Sequence, residues 1–196
     1  LTLRRPGVAW GALAVLLGAL SIAVAFVPTS IRLDWEPVLA PTQPWRAWTA
    51  ALVHLSHWHL IANLAGALVV GGLGVTGRLP ARAALAWACA WPLTQALLLM
   101  RPALAHYAGL SGVLHAGVAI AAWHLMRHGR AREPWIGALI AVGLGLKLAF
   151  EAPFGPVLTH PGDWDIPIAP FAHFTGTLAG AVCALVFDLK PSRPAR

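Results

Sequence analysis

The chain has 196 residues, 58% of them hydrophobic and 11% charged, with a formal net charge of +7. So little charge cannot keep the surface of a soluble domain of this length hydrated, and the composition points instead to a chain that crosses a bilayer several times. The basic excess does not mark a nucleic-acid binder, because Lys and Arg fall between apolar runs and form no stripe interleaved with aromatics.

In chain order, the apolar run at 7–27 follows Arg4 and Arg5, as a signal peptide would. It is longer than a typical h-region, and Phe26-Val27-Pro28 lacks a small-residue cleavage pattern, so a retained spanning helix is expected. Residues 28–48 are too polar and proline-rich to span, and their Trp35, Trp45 and Trp48 are of the type found at headgroup level. Further spanning helices are expected at 57–76, 81–100, 110–127, 135–151 and 170–188. Pro134 opens the fifth of these six segments, where its missing N–H costs least. Between 152 and 169, Pro153, Pro156, Pro161 and Pro167 with Gly155 and Gly162 exclude regular helix. Trp87, Trp91, Trp123 and Trp135 read as interface anchors. Cys89 and Cys183 sit in apolar runs without metal-ligand spacing and read as free thiols. The expected fold is an all-α membrane protein, one domain over 1–196 built as a six-helix bundle, with no cofactor and no metal.

Orientation follows from loop charge. With six crossings, Arg4, Arg5, Arg78, Arg82, Arg127, Arg130, Arg132, Lys190, Arg193 and Arg196 share one side. Arg32, Arg46 and Arg101 fall on the other, with Asp34, Glu36, Asp163 and Asp165. The asymmetry predicts both termini in the cytoplasm.

Polar residues inside spanning segments are costly and usually functional. At the head of the second segment, His59 and Asn63 are four apart and share a helix face, so both can point at one oxygen atom. At the head of the fourth, Gly109-Leu110-Ser111-Gly112 sets a serine between glycines, where backbone can approach a substrate closely; on its own the pattern fits helix packing as well. In the sixth, Gly176 and Gly180 form a small-xxx-small face one turn after His173. Packing of that face on the fourth segment would bring His173 within hydrogen-bond reach of Ser111, and a serine hydroxyl becomes a competent nucleophile only when a base takes its proton. A structural histidine bonded to a backbone carbonyl is the alternative.

Together these clusters resemble the rhomboid family of intramembrane serine proteases. Trp45-Arg46 looks like that family's Trp-Arg motif, and His54, His59 and Asn63 match its second-helix histidine and His-xxx-Asn pair. Gly109-Leu110-Ser111-Gly112 matches Gly-x-Ser-Gly, and Ala172-His173-Phe174-Thr175-Gly176 with Gly180 matches Ala-His-xx-Gly-xxx-Gly. The resemblance implies Ser111 as nucleophile, His173 as base, and an oxyanion hole of the Ser111 N–H, His59 and Asn63, supported by His54. His115 stands where many rhomboids carry a tyrosine, and Gly-Leu-Ser-Gly-x-Leu-His resembles the rhombosortase branch. That branch is associated with trimming proteins whose C-terminal tail carries Gly-Gly, a transmembrane stretch and a basic end. The resemblance also implies a bacterial inner-membrane location, an active site opening to the outer face, membrane-anchored protein substrates, and a cap over the site from the loop holding His160 and Trp164.

With no aspartate in the last three segments suited to orient His173, a Ser–His dyad is expected. Of the carboxylates near these segments only Glu151 qualifies as intramembrane, and Lys147, four residues earlier, is its expected partner. Two other readings are a catalytically inactive rhomboid-like protein that binds transmembrane segments and a histidine-lined metal path. The first is disfavoured because every catalytic position is filled, the second because intramembrane carboxylates are nearly absent.

Overall fold

The computed structural model describes residues 5–28, 32–160, 162 and 164–187. Of the residues used in the charge argument, Arg4, Asp163, Lys190, Arg193 and Arg196 lie outside this set, as does Pro161 of the last loop. Among the described residues the fold is all-helical. Six long helices, α1 (Val8–Val24), α3 (His57–Thr76), α4 (Ala81–Ala96), α5 (Ser111–His128), α6 (Glu133–Glu151) and α7 (Pro170–Val186), fall on the six expected segments. A single-turn helix, α2 (Arg46–Thr49), lies in the long first loop, and α4 continues as a tighter 3-10 turn over Leu97–Met100. Ser56 caps α3 by accepting from the His59 N–H at 3.0 Å, and Pro134 sits in the first turn of α6.

Among the described residues, three stretches, His57–Thr76, Ala81–Met100 and Glu133–Glu151, are long and apolar enough to cross a membrane. The α5 helix, which carries His115, His124 and His128, is instead the centre of the bundle, packed by α3, α4, α6 and α7. A helix walled by protein can carry polar groups that lipid would not tolerate.

The indole groups correct one expectation. Trp87 is fully buried, and Trp91 nearly so, rather than anchored at an interface. The Trp87 Nε1–H donates to the Val113 carbonyl at 2.7 Å, and its ring stacks on Trp10, whose Nε1–H donates to the Val70 carbonyl at 2.8 Å. The Trp91 Nε1–H reaches the Trp48 carbonyl at 3.0 Å. Each indole thus ties one helix or loop to the next with its polar atom satisfied. Trp35 is also buried, whereas Trp135 is exposed, as an anchor would be. Both cysteines are free; Cys183 is buried and Cys89 half-buried.

Glycine sets the distance between α5 and α7. A Cβ on Gly176 would fall on the Gly112 carbonyl oxygen, and one on Gly180 on the Ala116 carbonyl oxygen. A Cβ on Gly112 would lie 2.8 Å from the Ala172 carbonyl oxygen. These obstacles are backbone and cannot swing aside, so the close approach requires glycine. Gly176→Ala should therefore destabilise the fold by about 1–3 kcal/mol or more. A lowered midpoint of thermal unfolding in detergent checks this, and a wild-type midpoint would show that α7 can shift without cost.

Candidate active site

The long first loop is built around Arg46, whose side chain is buried. Its Nη1 donates to the Asp34 carbonyl at 2.7 Å and to Glu36 Oε1 at 3.0 Å, and its Nε donates to Gln43 Oε1 at 2.7 Å. Trp45 beside it is about half exposed. The loop then pairs with the segment before Ser111, through mutual backbone hydrogen bonds between Trp35 and Tyr107 and from the Gly109 N–H to the Ala50 carbonyl. Arg46 thus supports the Ser111 segment from a distance.

Gly109 has φ +129, which favours glycine, and a Cβ there would lie 2.7 Å from His59 Nε2. The turn can therefore lie against the His59 ring. Ser111 follows as the first residue of α5, so its N–H has no intrahelical partner and sits at the positive end of the helix dipole. The Tyr107 O–H donates to the Gly109 carbonyl at 3.2 Å from below the turn, and burial pushes that phenol above its usual range.

His173, on α7, meets Ser111 across the glycine contact, with Nε2 2.9 Å from the Ser111 Oγ. Its ring stacks in parallel on His115, with centroids 4.2 Å apart and planes 11° apart. His115 Nδ1 lies 2.7 Å from the Ser111 carbonyl oxygen, which can only accept, so Nδ1 carries the proton and Nε2 keeps its lone pair. His115 thus packs on the face of the His173 ring, and in this tautomer it has no N–H to give a substrate.

The opposite logic fixes His59. The Leu55 N–H donates to His59 Nδ1 at 3.3 Å, so in the neutral ring the proton is on Nε2, the atom facing Gly109. Asn63 is buried one turn deeper; its Nδ2 donates to the His59 carbonyl at 3.1 Å, leaving the second N–H of the amide. His54 packs edge-on against His59 at 4.9 Å, and its Nδ1 donates to the Leu52 carbonyl at 3.0 Å. Burial holds His54 below the ordinary imidazole range, against the pull of that carbonyl.

Two cavities meet at these residues. One of about 910 Å³ runs between α3, α5, α6 and α7, with Asn63, Ser111, His115, Lys147, Glu151 and His173 among its lining groups. A second, of about 190 Å³, lies under the loop before α7 and is bounded by Tyr107, Leu158 and Ile166. His59, Ser111 and His173 line both. Trp164 lines the larger cavity, while His160 is exposed.

One expectation needs correcting. From the sequence a Ser–His dyad is expected with no carboxylate partner for His173, yet His173 Nδ1 lies 2.7 Å from Glu151 Oε2. The expected Lys147–Glu151 pair is present too, through Oε1. A carboxylate has two oxygens, and assigning Glu151 to the lysine accounted for one of them.

Among the described residues, two groups of donors are close enough to hold a cation. His115, Glu151 and His173 each bring one ligand atom within 4.8 Å of the others, as do Asp34, Glu36 and His106. In the first group both His173 nitrogens and His115 Nδ1 are already in hydrogen bonds. In the second, Arg46 lies against both carboxylates and His106 Nδ1 contacts Asp34 at 2.8 Å. Both read as hydrogen-bonded networks, not vacant ligand sets.

The fold and the site define an integral membrane protein with a serine, a histidine and clustered hydrogen-bond donors at a shared cavity. In sequence the chain matches the family model of the Rhomboid domain over residues 41–189, more than half its length. The chain belongs to the rhomboid family, whose members are generally intramembrane serine proteases acting on membrane-anchored substrates within the bilayer. No curated protein matches it in sequence.

Proposed function

We propose that the protein is an intramembrane serine endopeptidase in which Ser111 is the nucleophile and His173 the general base. The observation that carries this reading is the 2.9 Å approach of His173 Nε2 to the Ser111 Oγ at the wall of a cavity large enough for an extended segment. A transmembrane helix hides its peptide carbonyls in intrahelical bonds, so a substrate must unwind locally before attack. His173 takes the hydroxyl proton as Oγ adds to the carbonyl carbon. The oxyanion is held by the Ser111 N–H, the His59 Nε2–H and the free Asn63 N–H, donors oriented before the reaction begins. His173 then gives its proton to the leaving amine, and water reaching the site through the smaller cavity hydrolyses the acyl-enzyme. All six long helices cross the bacterial inner membrane in this reading, with both termini cytoplasmic and the Ser111 end towards the outer face. The chain works as one domain.

His115 in the tyrosine position, with its ring stacked on His173, favours rhombosortase-type processing of C-terminal tails. A reporter ending in Gly-Gly, a transmembrane stretch and a basic tail, co-expressed with the protein, should be cleaved when Ser111 is intact. Cleavage should fall when the Gly-Gly pair is replaced by Leu-Leu. Equal cleavage of both reporters would remove the branch assignment and leave the peptidase; no cleavage of any membrane-anchored reporter would count against both.

A further inference from the structure

We infer that Glu151 is a positioning residue for the His173 base, completing a Ser111–His173–Glu151 relay; this rests on the peptidase reading above. Glu151 is the last residue of α6, a helix with one buried residue, Gly137, along its whole length. A carboxylate on such a lipid-facing helix would normally be excluded from the bilayer. Here its side chain is only 15% exposed, and both oxygens are used: Oε1 by the Lys147 ammonium, Oε2 by His173. A bridge from Lys147 alone would need neither that burial nor the turn towards α7.

The end of α6 is held in register by a second set of contacts. Ala152 adopts the left-handed region at φ 48, which stops the helix directly after Glu151. The Arg101 guanidinium then donates to the Pro153 carbonyl at 3.0 Å and to the Gly155 carbonyl, while lying 5.7 Å from the centre of the Phe171 ring on α7. Arg101 thus ties the turn after Glu151 to the helix that carries His173.

The chemistry of His173 gives the contact its purpose. A carboxylate oxygen can only accept, so His173 Nδ1 carries the proton and Nε2 presents its lone pair to the Ser111 hydroxyl, the tautomer a general base requires. When Nε2 takes the Ser111 proton, the imidazolium keeps its Nδ1–H donated to Glu151, and no proton moves to the glutamate. His115 stacks on the ring face and can hold its plane, but only a group at Nδ1 selects the tautomer.

Glu151→Gln is the test, because its amide can present an N–H to Nδ1 and favour the wrong tautomer. The protein in lipid nanodiscs is inactivated with a fluorophosphonate, separating the maximal inactivation rate from the apparent binding constant. The maximal rate should fall on the order of 10²-fold with the binding constant unchanged. Lys147→Met, which leaves Glu151 in place, should lower the rate far less. In protein carrying ¹⁵N-histidine, the far-downfield Nδ1–H signal expected of an imidazole bonded to a carboxylate should vanish in Glu151→Gln and in His173→Ala but persist in Ser111→Ala. A wild-type rate in Glu151→Gln, or that signal persisting there, would overturn the inference. If the variant does not unfold cooperatively, the wild-type spectrum decides: the signal, absent from His173→Ala, supports the relay, and its absence from wild type refutes it. The spectrum needs no turnover, so a failed peptidase reading would show separately, as wild-type protein that the probe does not modify.

Discussion

Ser111→Ala should abolish cleavage of a membrane-anchored reporter while leaving the thermal unfolding midpoint close to wild type. The hydroxyl meets His173 Nε2 and the Tyr107 phenol, and the residue begins α5, so removing one oxygen leaves the helix start and the α5–α7 glycine contact intact. Without Oγ nothing can form the acyl-enzyme, and the donors that remain around the site have no covalent adduct to stabilise. His173→Ala should be nearly as severe, since residues that act as one unit lose most of their effect when any member is removed. Residual cleavage in Ser111→Ala within tenfold of wild type would mean that another nucleophile does the work.

The second large effect is expected at the oxyanion donors. His59→Ala and Asn63→Ala should each lower kcat by about 10²–10³ with little change in KM, because their N–H groups engage an oxygen that becomes negative only in the transition state. The His59 effect should be the larger. Its Nε2 lies over the Gly109 turn beside Ser111, with its tautomer set by Leu55, whereas Asn63 spends one amide proton on the His59 carbonyl. Steady-state cleavage of the same reporter checks this. A rise in KM at constant kcat would reassign both residues to substrate binding.

The helices were legible because apolar runs, glycines and prolines carry physical constraints that act locally. The run at 57–76 and its start after Ser56 are readable from composition and a cap, and α7 begins at Pro170 for the reason prolines open helices. The Ser111–His173 meeting was legible too, through Gly176 and Gly180, because a small-residue face announces close backbone approach before its partner is known. What hydropathy cannot reveal is which helix lies at the centre. Trp87 and Trp91 have the residue type of an interface anchor, and only the alanine-rich surface of α4 hinted that they pack inwards. The second partner of Glu151 was hidden for a related reason. An i,i+4 lysine is visible in one dimension, while a histidine 22 residues away on another helix is not. The tautomers of His59 and His115 depend on backbone partners at Leu55 and Ser111, four residues away along the chain; the spacing is readable, the ring orientation is not.

The most direct measurement is the position of the covalent adduct formed when the wild-type protein in nanodiscs is treated with a fluorophosphonate and digested for mass spectrometry. The account predicts one modified peptide, carrying the phosphonyl group on Ser111, with modification lost in His173→Ala. Modification confined to another serine, or a Ser111 adduct that forms equally fast without His173, would contradict it.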